Sequence, residues 1–220
     1  SRISSEVSKR GIVDVLRNPV VDRGVYLNLC YFEPKSDLNP EHLKLFQSNR
    51  FTVMRQLHYS NQNENSIDMG LFLNGLPIVT MELKNQLTGQ NVKHSQNQYR
   101  NDRDPREPLL QFKRCMIHFC VDNDRVSMTT RLSGLKTFFL PYNRDLENPP
   151  VETGYRSKYL WEEVLTPSSL LDVIENFIHL SKEDELYFDV KSQSIKKKTK
   201  DVLDRKSTRL NSSHPSRARM

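Results

Sequence analysis

No run of apolar residues in this 220-residue chain approaches the roughly 20 needed for a membrane-spanning helix, and no signal-peptide pattern is visible. Cysteine is scarce. Cys30, Cys115 and Cys120 form an odd set without metal-ligand spacing, which excludes a disulfide framework and a cysteine-built zinc site. Such thiols are expected to be reduced and mostly buried, in an intracellular, cytoplasmic protein. A Gly-x-x-x-x-Gly-Lys-Ser/Thr loop is also missing, so the segment hydrolyses no ATP by that route. Neither a helix-turn-helix nor a zinc-finger pattern is present to read base edges. There is no internal repeat.

The net charge of +6 says less about partners than its size suggests. From Asp204 onward the chain carries five Lys/Arg and one Asp, which leaves only +2 for everything before it. The pI near 9.2 is thus largely a property of the tail. The string Asp204-Arg205-Lys206-Ser207-Thr208-Arg209-Leu210-Asn211-Ser212-Ser213-His214 is the in-frame translation of a common sequencing adapter, and 204–220 is expected to be an unstructured artefact. A basic nucleic-acid-binding tail is the competing reading. With its start at Ser1, the chain is expected to be a fragment: one domain over 1–185, truncated at its N-terminus, then a charged linker over 186–203.

Periodicity sketches the elements in between. Lys9 to Arg17 and Val25 to Phe32 alternate in part like strands. Asn39-Pro40-Glu41 reads as a helix start running through Phe46, and Arg50 to Leu57 as a strand. Thr88 opens a polar helix to about Arg100. The nearly all-apolar run Cys115 to Val121 suits a strand buried on both faces. Arg125 to Arg131 and Lys136 to Leu140 are further strand candidates. Ser168 to Leu180 carries a helical stripe at Leu170, Leu171, Ile174, Phe177 and Ile178. Together these describe a mixed α/β core.

The most informative segment is Ser66-Ile67-Asp68-Met69-Gly70-Leu71-Phe72-Leu73, Asn74-Gly75, Leu76-Pro77-Ile78-Val79-Thr80-Met81-Glu82-Leu83-Lys84. Two apolar runs flank a turn dipeptide and predict a hairpin. Asp68 opens one run, and Glu82 with Lys84 closes the other. Two hard oxygen ligands beside a cation are what metal-assisted phosphodiester cleavage requires. Register decides whether they meet. A two-residue loop pairs Asp68 with Met81 and turns Glu82 to the opposite face. A three-residue loop, with Gly75 left-handed in a bulge, pairs Asp68 with Thr80 and brings Glu82 and Lys84 to its face, so the nuclease reading predicts an odd-length loop. The plain alternative is that Asp68 caps a strand and Glu82-Lys84 is a solvated strand end.

Other candidates have plain readings beside functional ones. Arg100 and Arg103 could line a DNA backbone, or belong to a solvated helix end of alternating charge. His118, inside an apolar run, reads as a satisfied core histidine. His58 is either a surface residue or a supporting group near Asp68. Tyr159 and Trp161 read as filling a hydrophobic seam.

With these strings laid out, the chain resembles the N-terminal nuclease domain of the restriction subunit of type I restriction-modification enzymes. The resemblance is carried by Lys9 to Leu16, Asn49 to Gln56, Asp68 to Gln90, Gln98-Tyr99-Arg100, Met128-Thr129-Thr130, Phe139 to Asn143 and Tyr159 to Glu163, over roughly residues 7 to 180. It implies a PD-(D/E)xK nuclease fold, a mixed β-sheet flanked by helices. It also implies that Asp68 and Glu82 are metal ligands, with the Leu83 backbone carbonyl a third, and that Lys84 positions the attacking water or the phosphate. Gln98, Tyr99, Arg100 and Arg103 become DNA-binding candidates. Two departures stand out: Gln98 is followed directly by Tyr99, with Asp102 in the place of the family's Gln-x-x-x-Tyr tyrosine, and Ile67 replaces the proline before the first aspartate.

The expectation is therefore a Mg²⁺-dependent endonuclease domain that cuts double-stranded DNA without sequence specificity of its own. By resemblance, methylation and specificity subunits supply recognition, and ATP acts only through motor domains downstream. The rivals are a non-catalytic nucleic-acid-binding or docking module on the same fold, and a standalone repair or junction nuclease.

Overall fold

The computed structural model describes residues 1–36, 38–60, 62–189 and 193–205. Its centre is a six-stranded mixed sheet in the order β3-β4-β5-β6-β7-β8, built from Phe51–His58, Ser66–Leu73, Leu76–Leu83, Ile117–Val121, Val126–Thr129 and Leu140–Pro141. All neighbours are antiparallel except β5 and β6. A parallel pair needs a crossover, and α4 (Val92–Asn101), the next α-helix along the chain after α3 (Pro40–Gln47), provides it. Asn91 fixes the start of α4: its side chain accepts from the Lys93 N–H, while His94 Nδ1 accepts the Asn91 N–H. The run from His118 to Val121 is buried throughout, as a strand covered on both faces must be.

Two apolar clusters sandwich this sheet. One packs Val79, Met81, Phe119 and Val121 against helices α1 (Arg2–Arg10), α2 (Ile12–Arg17) and α5 (Pro167–Asp172). The other, on the α4 side, holds Ile67, Val92, Tyr99, Leu110, Cys120 and Phe139. Alternation along β5 and β6 therefore sends Thr80, Glu82, His118 and Cys120 toward α4. The α/β class and the flanking helices are as expected, consistent with a restriction-endonuclease-like core.

Several local expectations are corrected. Lys9 to Arg17 is helical: α1 and α2 meet at Gly11, whose φ of 88° ends one helix and starts the next. Ile12, Val15 and Leu16 make a buried helical stripe, which outweighs the strand preference of their β-branched neighbours. Of Val25 to Phe32 only β2, Val25–Leu27, is a strand, paired with β1, Val20–Asp22. Of Lys136 to Leu140 only Leu140 joins the sheet. The helix through α5 opens into a wider turn at Val173–Phe177, and Ile178 begins a strand. Within the expected charged linker, residues 186–189 and 194–203 lie in paired strands, β9 (Ile178–Asp189) running antiparallel to β10 (Ser194–Arg205). Its register sets Lys182 opposite Asp201, an opposite-charge pairing that favours the ladder. Residues 206–220 of the expected artefact lie outside the described residues.

The hairpin corrects the register argument. Its loop has two residues: Leu73 pairs with Leu76, and Asn74 and Gly75 both have positive φ, 50° and 82°, as a type I′ turn demands. The odd residue sits in β5 instead. Phe72 faces Pro77, but Leu71 faces Val79, so the register shifts by one at a bulge around Ile78. Pro77 has no N–H to give the ladder, and prolines inside strands settle at such bulges. Beyond the shift Gly70 pairs with Thr80 and Met69 with Met81, a register that in continuation sets Asp68 opposite Glu82. The parity that a cutting site needs is reached by a bulge rather than by an odd loop.

Candidate active site

Past Met69 the paired register of β4 and β5 ends, and the Asp68 side chain takes over the contact. Its Oδ2 accepts the Leu83 N–H at 2.8 Å. Gln56 Nε2 donates to its Oδ1 over a longer 3.4 Å. Asp68 is half-buried, whereas Glu82 on the facing strand has no exposed surface. Burial pushes the Glu82 carboxyl up to about 7, against the downward pull of the Arg103 guanidinium, and the neighbouring Asp68 carboxylate raises it further. By the continued register the two carboxylates stand on facing strands.

Glu82 is held by one oxygen only. Arg103 Nε donates to Oε1 at 2.7 Å. Oε2 is buried and has no hydrogen-bond partner in the protein. A buried carboxylate oxygen left bare costs free energy unless something else meets it. The donor set beside it consists of hard oxygens from two carboxylates, which suits Mg²⁺, an ion that takes one or two carboxylates and completes its shell with water and phosphate. The residues fit such an ion. No cluster of three or more His, Cys, Asp or Glu occurs among the described residues, so the protein would supply few of the ligands. Leu83, the expected carbonyl ligand, ends β5 and is exposed.

Lys84 continues along the same strand. Its N–H donates to the Val121 carbonyl at 2.8 Å, carrying the β5–β6 pairing one residue further. Its half-buried side chain lines an open cleft of about 340 Å³ with Gln90, His94, Asn97, Gln98, Asn101 and Asp102. Gln98 therefore shares a cleft with Lys84, and its Oε1 is buried without a hydrogen-bond partner. The hairpin and α4 thus gather Asp68, Glu82, Lys84 and Gln98 at one end of the sheet.

Two of the DNA-contact expectations fail. Tyr99 has no exposed surface; its hydroxyl bonds Thr80 Oγ1 at 2.8 Å, and its ring packs edge-on to His118 and beside Phe139. It is a core residue. Arg103 is only 6% exposed and is spent on Glu82 and on the Ser66 carbonyl, 2.7 Å from Nη2, so it has no reach toward a DNA backbone. Arg100 is half-buried, donating from Nε to the Thr137 carbonyl and lying 5.2 Å over the Phe139 ring.

The histidines behave as their plain readings had it. His118 is buried, bonded through Nδ1 to Thr80 Oγ1 at 2.7 Å, and burial holds its pKa down to about 3. His58 is exposed, 3.8 Å from Glu64. Tyr159 is buried in the larger apolar cluster, whereas Trp161 is largely exposed. The sequence reading missed Arg103 as the partner of Glu82. A lone arginine in a loop rich in alternating charge gives no signal of burial.

A family model described as type I restriction enzyme R protein N terminus matches residues 33–137, which include Asp68, Glu82, Lys84, Gln98 and Arg103. No match was found among curated proteins.

Proposed function

We propose that this chain, whose residues 33–137 match the type I restriction enzyme R protein N-terminal family model, is the DNA-cutting module of such a complex. The observation that carries the reading is the register that sets Asp68 opposite Glu82 across the hairpin, with Glu82 Oε2 buried and bare and Lys84 two residues further along the chain. In this reading Asp68 and Glu82, with the Leu83 carbonyl, hold Mg²⁺. The bound ion would lower the pKa of a water and offset charge developing on the phosphate. Lys84 would hold that water against a non-bridging phosphate oxygen. Gln98, in the same cleft, would steady the DNA strand, and Arg100 is the remaining backbone-contact candidate.

Nothing in such a site reads bases; phosphate contacts position a duplex and base contacts specify it. Recognition would then come from the methylation and specificity subunits, and ATP would act through downstream motor domains. The test is nicking of plasmid DNA by the intact complex with ATP and Mg²⁺. Asp68→Ala and Lys84→Ala are each expected to abolish cutting while ATP hydrolysis continues. Cutting at the wild-type rate would refute the assigned roles.

One observation favours a second reading, a non-catalytic module on the same fold. The Arg103 guanidinium already supplies Glu82 with a positive partner, and a protein without a metal would need such a permanent counter-ion. In that case the domain binds no divalent ion.

A further inference from the structure

We infer that Arg103 and Gln56 are positioning residues, members of one hydrogen-bonded frame that sets both carboxylates for a divalent ion. The inference rests on the metal-dependent reading above. The frame can be traced atom by atom. Arg103 Nε donates to Glu82 Oε1, and its Nη2 donates to the Ser66 carbonyl, each at 2.7 Å. The Ser66 hydroxyl donates to Gln56 Oε1 at 3.1 Å. Gln56 Nε2 reaches Asp68 Oδ1 at 3.4 Å, and Asp68 Oδ2 accepts the Leu83 N–H beside Glu82. The frame starts at one acid and returns to the other.

Its members sit where a clamp is useful. Glu82 is on β5, and Ser66 opens β4 two residues before Asp68, so a single guanidinium bridges the strands that carry both acids. A planar fork of fixed N–H directions suits this, whereas an ammonium offers no such fork. Arg103 itself is fixed: it is buried, and its guanidinium lies 5.9 Å from the Tyr59 ring centre. Gln56 has φ of 47° inside β3, between Arg55, which pairs with Met69, and Leu57, which pairs with Ile67. Left-handed backbone is uncommon for a non-glycine residue in a strand and persists where the surroundings impose it. Here it falls beside Asp68 and brings the Gln56 amide to that carboxylate.

The frame leaves one atom out. Glu82 Oε1 is tied and Oε2 is bare, so the clamp orients the carboxylate and keeps one oxygen for the ion. Partners that orient metal ligands are typically worth about 10- to 100-fold in metal affinity.

The test is Mn²⁺ binding by the full chain, followed through the electron paramagnetic resonance signal of the free ion, with circular dichroism and melting of the metal-free protein beside it. Arg103→Met is expected to weaken binding about 10- to 100-fold, and Gln56→Ala about threefold to tenfold, as befits the longer contact. Arg103→Lys keeps the charge but loses the fork, so it should fold and still bind less tightly than wild type. Should Arg103→Met fail to fold, the lysine variant decides, and wild-type affinity in it overturns the inference. Unchanged or tighter binding in folded Arg103→Met also overturns it, because Arg103 would then be a competitor of the cation. Asp68→Asn separates the levels. If wild type binds no Mn²⁺, or Asp68→Asn binds it as well as wild type, the metal reading itself falls and the frame falls with it.

Discussion

Replacing Thr80 by valine removes one oxygen and almost no volume, and two buried groups lose their partner at once. Thr80, Tyr99 and His118 are each at most 1% exposed. The Thr80 hydroxyl stands between Tyr99 Oη at 2.8 Å and His118 Nδ1 at 2.7 Å. With a neutral imidazole the three form a chain in which the threonine donates to one neighbour and accepts from the other. Leaving a buried polar group without a partner costs about 1–3 kcal/mol, so Thr80→Val is expected to cost about 2–5 kcal/mol. That is a large share of a domain stability of about 5–15 kcal/mol. Thr80→Ser keeps the hydroxyl and deletes one methyl, for about 1 kcal/mol. Urea unfolding at neutral pH measures both. Tyr99→Phe supplies the control: its cost in the wild-type background should shrink by about 1 kcal/mol or more when Thr80 is already valine, because the bond is already gone. If Thr80→Val proves as stable as Thr80→Ser, the network is not holding α4 to the sheet. The consequence reaches the site, since Gln98 adjoins Tyr99 and Glu82 lies two residues beyond Thr80.

Other outcomes follow from the same geometry. Burial holds His118 neutral, with its pKa down to about 3 against an ordinary 6.5; the unfolded chain therefore binds more protons between those values, and stability present above pH 6.5 is lost as pH falls toward 3, by up to about 1.4 kcal/mol per pH unit. Urea midpoints at pH 7 and pH 5 should show that loss, and His118→Gln should flatten it. Gly75 sits at φ of 82° in the hairpin turn, so Gly75→Ala is expected to cost about 1 kcal/mol in melting experiments. Arg100→Ala, if Arg100 touches the DNA backbone, should weaken DNA binding and reduce its salt dependence by about one phosphate contact; an unchanged salt slope would remove it from the interface.

Much of the site was legible because its chemistry is local to one hairpin. Asp68, Glu82 and Lys84 stand in a segment whose turn dipeptide and apolar runs announce strands, and only their relative face was in question. The loop length was expected wrongly, because the offset depends on Pro77, whose missing N–H displaces the ladder in β5 rather than at the turn. Helix α2 was misread because Ile12, Val13 and Val15 carry strand-like side chains, and only packing against α1 and α5 reveals the helical stripe. Tyr99 and Arg103 show the other limit. A tyrosine and an arginine near a polar helix look like surface groups until a buried threonine and a buried glutamate are found to receive them. No pattern along the chain encodes such pairings, since partner and residue are about twenty positions apart and belong to different elements.

The bulge near Ile78 separates two jobs that a plain hairpin would tie together. The tip answers only to the steric demands of a tight reversal, and the acid-bearing end answers to a side-by-side placement set several residues away. A tip lengthened by one residue could leave the far end untouched if the strand kept its own offset. Removing the extra residue while sparing the tip would put Asp68 and Glu82 on opposite sides of the sheet. Spacing between the acids, counted along the chain, is therefore a poor guide to whether they can cooperate.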